Sequence, residues 1–246
     1  MAPAAFQERD WSGSISAFSE LRCAVIRVAF SSMPIILIIG ASRGIGLTAV
    51  KIGLTAGYEV RAVARSAHAI AINSTRLEKI SGDARDRAVI VRALDGTSAV
   101  IQALGVPITP ATVLSGTTLF SDASRVLVDA MQSARVRRLI AVTGIEAGDS
   151  RGVSSFLHAR ILFPLILQRI YDDKNAQEEI IRSSGLDWTI VRPGILTRGP
   201  VTGHYQVLTD RRSWRSGFIS RRDVADFLIR QITDDTSSGG TPLLIG

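Results

Sequence analysis

The chain predicts an α/β fold with a doubly wound parallel sheet and helices on both faces, and three features carry that prediction. Short β-rich runs alternate with helical stretches from Met33 to the C-terminus. The first run, Pro34 to Ile39, is continuously apolar, as expected of a central parallel strand covered on both faces. A glycine-rich turn, Gly40 to Gly46, follows it at once and opens a helix. Repeated β-α alternation of this kind implies right-handed crossovers and a single sheet.

In chain order, a helix is expected from about Gly44 to Ala56, ended by Gly57, and then a strand over Glu59 to Ala64. Leu77 to Ser81 reads as a third strand, Arg85 to Leu94 as a helix, and Ala99 to Leu104 as a fourth strand stopping at Gly105. Ser121 is expected to cap a helix running to about Ser133, ahead of a fifth strand over Arg138 to Thr143. A long helical region spans roughly Ser155 to Ser184, with an interruption expected at Pro164. Asp187 to Val191 is a sixth strand, Arg221 to Ile232 a helix, and Pro242 to Ile245 a last short strand. Nothing divides Met33–Gly246 into two domains. Residues 1–32 lack a clear period and carry Glu8, Asp10 and Glu20, unlike a transit peptide. They read as an N-terminal extension, non-native or disordered, ahead of one domain over 33–246.

Composition narrows the class. At 246 residues the chain supports one full-sized core, and 46% hydrophobic with 21% charged residues is ordinary for a soluble protein. The net charge of +7 is scattered in pairs such as Arg137-Arg138 and Arg211-Arg212. That diffuse field suits an anionic small molecule and gives no support to nucleic acid. Cys23 is the only cysteine, so no intrachain disulfide or thiolate-built metal site exists, and the reading is cytoplasmic. No stretch reaches the ~20 apolar residues of a membrane span; Phe156 to Ile170, with His158, Arg160, Pro164 and Arg169, reads as a buried helix. Asp172 and Asp173 have no matching metal ligands, so no metal is expected.

Gly40-x-x-x-Gly44-x-Gly46 between an apolar strand and a helix is the setting of a Rossmann dinucleotide turn. The first glycine turns the chain out of the strand, and the next two let backbone and helix approach a pyrophosphate. The helix N-terminus then offers unpaired N–H groups and the positive end of its dipole. An acid ending the second strand would accept from a ribose 2′-hydroxyl and repel a 2′-phosphate. Here the strand ends Val63-Ala64-Arg65-Ser66. Arg65, with Arg43 inside the turn, is suited to a 2′-phosphate, so NADP is expected over NAD.

The chain resembles the short-chain dehydrogenase/reductase superfamily, in its atypical branch of NmrA-like and flavin/biliverdin reductase-like proteins. The resemblance rests on Gly40-Ala41-Ser42-Arg43-Gly44-Ile45-Gly46, Ser81-Gly82-Asp83-Ala84-Arg85-Asp86 and Ala103-Leu104-Gly105. It continues through Lys174-Asn175-Ala176-Gln177-Glu178, Ser184 to Gly194, and Ile219 to Phe227. It implies that Asp83 and Ala84 lie against the adenine, and that Ala103, Leu104 and Gly105 pass beneath its ribose. Pro193 to Thr197 would face the nicotinamide, with the N–H of Ile195 or Leu196 on the carboxamide. Asp223 reads as a capping acid on its helix, and Trp188 as core.

In the wider superfamily a Ser or Thr after the fifth strand works with Tyr-x-x-x-Lys on the next helix, the Lys lowering the Tyr pKa and binding ribose. Thr143 and Lys174 match, but the residue four before Lys174 is Ile170, and Tyr171 lies three before it. Two roles are open to Tyr171: proton donor in a rotated geometry, since i,i+3 residues share a face, or packing beside Ile170 and Leu167. Lys174 is a ribose ligand or a solvated lysine. His204 and Tyr205 fall in a loop bordering the expected pocket. The function expected is an NADP-dependent reductase acting on a small carbonyl, quinone or flavin-like acceptor, as a monomer or homodimer; the alternative is a non-catalytic NADP sensor of the NmrA-like kind. Parallel titrations should show tighter binding of NADPH than of NADH, and the reverse order overturns the assignment of Arg43 and Arg65.

Overall fold

The computed structural model describes residues 33–145 and 157–246, and the side chains of the second stretch from residue 168 onward. The expectations for residues 1–32 and for the His158 side chain lie outside it.

Eight strands form the main sheet: β1 (Ile35–Ile39), β2 (Glu59–Ala64), β3 (Leu77–Ser81), β4 (Thr97–Gln102), β5 (Arg138–Val142), β6 (Asp187–Pro193), β8 (Gln206–Leu208) and β10 (Leu243–Ile245). Their order is β3-β2-β1-β4-β5-β6-β10-β8. All pairings are parallel except that of β8 with β10. The reversal of strand order between β1 and β4 puts the C-terminal end of β1 at the topological switch point, where ligands of open α/β sheets bind. A separate parallel pair joins β7 (Ile195–Thr197) to β9 (Phe218–Ser220).

Period-two alternation divides the core. Ile36 and Ile38 face a layer containing Ala49, Val50 and Leu54 of α1 (Gly44–Thr55) and Val224 and Leu228 of α6 (Arg221–Arg230). Leu37 and Ile39 face the opposite layer, with Ile90 and Leu94 of α2 (Arg87–Leu94) and Leu127 and Met131 of α4 (Leu119–Ala134). Ile181 of α5 (Leu157–Arg182) joins that second layer. The doubly wound expectation holds, and no helix among the described residues is long and apolar enough to cross a membrane.

Several boundaries differ for physical reasons. Asp86 caps α2 by accepting from the Ala88 N–H, so Arg85 stays outside the helix. β4 starts two residues early at Thr97 and ends at Gln102, releasing Ala103 and Leu104 to pass beside Gly40. Ser121 is not a cap: α4 starts at Leu119, and a carboxylate from α5 serves instead. Asp173 accepts from the Phe120 N–H at 2.8 Å and the Ser121 N–H at 3.1 Å. α5 continues through Pro164, where the missing N–H removes one helical bond from a helix with many others. The short helix α3 (Pro110–Ser115), closed by a Thr109/Thr112 capping box, has no apolar period to announce it. Asp173→Ala removes both bonds to the α4 N-terminus and should lower stability by about 1–2 kcal/mol in urea unfolding; a change within error would show that water replaces the carboxylate.

Candidate dinucleotide and active site

The glycine turn is built by backbone packed on backbone. Gly40 has φ +86°, and a Cβ there would lie 2.5 Å from the Ala103 carbonyl oxygen. A Cβ on Gly46 would lie 2.3 Å from the Gly40 carbonyl oxygen. Gly44, at φ +60°, would place its Cβ in open space. Close approach thus dictates two of the glycines, whereas the left-handed backbone dictates the third. Arg43 precedes α1 without a side-chain cap, and no acid stands in the first turn. The early amides of Gly44, Ile45 and Gly46 therefore form an uncapped, electropositive helix end beside Ser42, the geometry that receives a phosphate.

Gly40 and Ala41 both donate to the Val63 carbonyl, at 2.9 and 3.3 Å, which brings the end of β2 alongside the turn. Arg43 and Arg65 are both exposed, and among the described residues neither is tied by a hydrogen bond or ion pair. Asp83, after β3, is engaged by Arg85: its Oδ1 accepts from Nε at 3.1 Å and its Oδ2 from Nη2 at 2.8 Å. Those bonds and the Arg85 N–H hold its carboxyl down at about 2, with a further contribution from the Arg65 charge. A carboxylate has lone pairs beyond those two, so the pairing orients Asp83 without filling it. Ala84 is buried, Leu104 half-buried, and a Cβ on Gly105 would meet no protein atom.

Thr143, Tyr171 and Lys174 come together at the C-terminal end of β5. The Tyr171 hydroxyl would stand 3.3 Å from a Cβ on Gly144, whereas Ile170 is buried beside Phe120. Tyr171 also shares an apolar cluster with Leu104, Val106 and Val113. Lys174 Nζ donates to the Thr143 carbonyl at 2.7 Å and sits 4.5 Å from the centre of the Phe120 ring. Burial lowers the Lys174 ammonium to about 8, while Glu178 and Asp173 pull it upward.

The Thr143 hydroxyl is turned inward and donates to Glu178 Oε1 at 2.8 Å. Glu178 in turn receives two bonds from Arg192 of β6, Nε to Oε1 at 3.0 Å and Nη2 to Oε2 at 2.6 Å. Arg192 is fully buried, with its guanidinium 5.1 Å from the Trp214 ring centre. Glu178 and Arg192 received no role from sequence reasoning. Two signals were present: Glu178 is one turn beyond Lys174, and Arg192 interrupts an apolar strand.

At the far end, Gly194 packs against Gly217, where a Cβ would come 2.4 Å from the Gly217 carbonyl oxygen. The Ile195 N–H donates to that same carbonyl at 2.8 Å. Of the two amides expected to face the carboxamide, Ile195 is therefore spent; strand alternation directs the Leu196 N–H away from β9. Pro193 is buried at the end of β6. Asp223 exceeds its expected capping role. The cap of α6 is Ser220, whose hydroxyl oxygen accepts from the Asp223 N–H at 2.9 Å. The Asp223 carboxylate accepts from the N–H groups of Thr202 and Gly203, at 2.7 and 3.0 Å, and from the Thr202 hydroxyl at 3.1 Å. Burial works to raise its pKa, but these bonds hold it below the usual range. Tyr205 is turned toward Asp226 at 3.2 Å, and His204 is exposed. Among the described residues no group of three or more His, Cys, Asp or Glu gathers as a metal site.

The model of the family described as NAD(P)H-binding matches residues 40–235, from the first glycine of the turn to beyond α6. The chain belongs to this NAD(P)H-binding family. Solved relatives share its fold. One is described as ChuY, an anaerobillin reductase from Escherichia coli O157:H7, 24% identical with TM-score 0.70, covering 87% of this chain and 97% of that one. Another is a short-chain dehydrogenase/reductase from Veillonella parvula DSM 2008 in complex with NADP, 17% identical with TM-score 0.72, covering 87% and 94%. Such identities speak for the fold alone. An uncharacterized sugar epimerase, YhfK of Bacillus subtilis (strain 168), is 30% identical over 130 residues, 50% of this chain and 55% of that protein. The chain thus spans about half the length of that curated relative. Fold and family model together make this an NAD(P)H-binding protein of the Rossmann type.

The glycines of the NAD(P)H-binding turn separate experimentally. Gly44→Ala should fold with a loss of about 1 kcal/mol, the left-handed backbone cost, since its Cβ meets no other atom; a loss of NADPH affinity in this folded variant is the result expected if the turn holds the cofactor. Gly46→Ala should lose both, with melting temperature and affinity falling together. Equal stability losses in the two variants would show that the Gly40–Gly46 contact yields.

Proposed function

We propose that the protein is an NADPH-dependent reductase that acts on a small carbonyl, quinone or flavin-like acceptor. The observation that carries this reading is the convergence of Tyr171 and Lys174 on the C-terminal end of β5, on the same sheet edge as the uncapped glycine turn. The fit of a dinucleotide is supported by the cradle that Gly40 and Gly46 close, and by the open space at Gly44 and Gly105. NADPH, when bound, supplies hydride.

Every other part is performed by the chain. Ser42, Arg43, Gly44, Ile45 and Gly46 hold the pyrophosphate, and Arg43 with Arg65 holds a 2′-phosphate as free cations. Asp83 and Ala84 border the adenine, Leu104 and Gly105 its ribose, and Pro193 with the Leu196 amide the carboxamide. Lys174 holds a ribose hydroxyl with the N–H protons not given to Thr143. Tyr171 delivers a proton to the acceptor oxygen, so a carbonyl gains hydride at carbon and proton at oxygen. The acceptor meets an apolar face, because Ile195 and Phe218 stand side by side in the β7–β9 register and are 45% and 58% exposed.

One observation favours a second reading, an NADP-sensing protein without turnover: the Thr143 hydroxyl proton is committed to Glu178 and not offered to a substrate. NADPH oxidation against a panel of quinones, flavins and aldehydes separates the two. Turnover that falls at least about tenfold in Tyr171→Phe is expected for the reductase; tight NADPH binding with no oxidation of any acceptor favours the sensor. Lys174→Ala should weaken NADPH binding. The native protein should also lose affinity as pH rises through about 8, where the Lys174 ammonium gives up its proton; a flat profile from pH 7 to 9 would remove Lys174 from the site.

A further inference from the structure

Beneath the expected site lies a buried ion pair that no step of the proposed reaction uses. Glu178 and Arg192 are 3% and 0% exposed in their side chains and share two hydrogen bonds. Arg182 adds a third contact to Glu178 Oε2 at 3.2 Å from the rim. Removing two such charges from water is costly, and apolar residues of similar size often serve stability as well or better. A stability role therefore does not explain the pair by itself. The placement of Glu178 gives a different explanation: it lies one helical turn beyond Lys174 and accepts a hydrogen bond from the Thr143 hydroxyl, while the Thr143 carbonyl oxygen accepts one from the Lys174 ammonium.

We propose that Glu178, clamped by Arg192, is a positioning residue that holds the Lys174 ammonium and the Thr143 turn in register at the end of β5. Arg192 fixes both Glu178 oxygens from β6; Glu178 fixes the Thr143 side chain; the Thr143 carbonyl fixes Lys174. The carboxylate also compensates the lysine charge at a place where burial disfavours it. Other groups facing Lys174 do not substitute for Glu178. Asp173, on the same helix, directs both oxygens to the amides of Phe120 and Ser121. From α4 the nearest contact is the uncharged Phe120 ring, and Asp122 is paired with Arg125 at 3.0 Å. Tyr171, one turn earlier on α5, brings no carboxylate to replace it.

The inference rests on the reading of Lys174 as a cofactor-site residue, and the test keeps the two apart. Lys51, Lys79 and Lys174 are the only lysines. Reductive methylation with a 13C label therefore gives a resolved titration of each by NMR. In the charge-neutral double variant Glu178→Gln/Arg192→Met, the glutamine still accepts the Thr143 proton while both buried charges are gone. Its melting temperature is expected near that of the wild type. The Lys174 midpoint should fall by roughly one unit from about 8, with Lys51 and Lys79 unmoved. NADPH affinity at pH 8 should weaken about fivefold, as the protonated fraction does, with little change at pH 6, where the ammonium persists in both proteins. A Lys174 midpoint that stays in place overturns the proposal. A midpoint that moves without any change in NADPH affinity supports it and removes Lys174 from the cofactor site. Should the double variant not fold, Glu178→Asp keeps the charge but withdraws it by one methylene, and the Lys174 midpoint must again move.

Discussion

Where β1 ends, three stretches of backbone meet with no room for a side chain. Gly40 leaves the strand against Ala103 and Leu104 as they exit β4, and Gly46 on α1 closes on the Gly40 carbonyl. This contact couples the two halves of the doubly wound sheet at the point where strand order reverses. β4 ends at Gln102, and Ala103, whose N–H still donates to the Ile39 carbonyl at 2.9 Å, makes the close approach to Gly40. The first turn of α1, beside this contact, carries neither a side-chain cap nor an acid.

The other end of the sheet relies on side chains. α5 contributes Asp173 to the amides of α4, Lys174 to the Thr143 carbonyl, and Glu178 to Thr143 and Arg192. Two consecutive turns of one helix thus address α4, β5 and β6. Buried charge of this kind is costly unless every partner is present, so the arrangement is cooperative: each group is held by the next. The Asp223 clamp on Thr202 and Gly203 repeats the device on a smaller scale, fixing a loop with one carboxylate that accepts from two backbone N–H groups.

These two kinds of construction account for what was legible in the sequence. Glycines demanded by backbone approach have a fixed spacing, and the continuous apolar run before them marks a strand buried on both faces; both survive as local patterns. The strand order and the two-layer core follow from them. By contrast, Asp173 reaches Phe120 and Arg192 reaches Glu178 across 53 and 14 residues of chain, and no local period encodes such pairings. Along the sequence Ser121 is the nearest residue suited to cap α4, whereas the carboxylate that does so comes from another helix. β7, β8 and β9 are three residues each, too short for alternation to register. Between Ile195 and Leu196, only the pairing with Gly217 decides which amide is available.

The displaced tyrosine is best understood from the packing around it. At the position four before Lys174 the helix faces Phe120, and Ile170 is buried there; a phenol at that point would need a hydrogen-bonding partner in an apolar cluster. One residue later the helix has rotated by about 100°, and Tyr171 reaches Gly144 at the rim of β5. The rotation that keeps the ring's hydroxyl out of the core therefore also carries it toward the sheet edge where Lys174 lies. Meanwhile Thr143, which would flank such a phenol, has its hydroxyl drawn inward by Glu178. The polar groups that converge on the end of β5 are thus divided: the Thr143 hydroxyl belongs to the buried network of Glu178 and Arg192, while Tyr171 and Lys174, both half-buried, lie beside it.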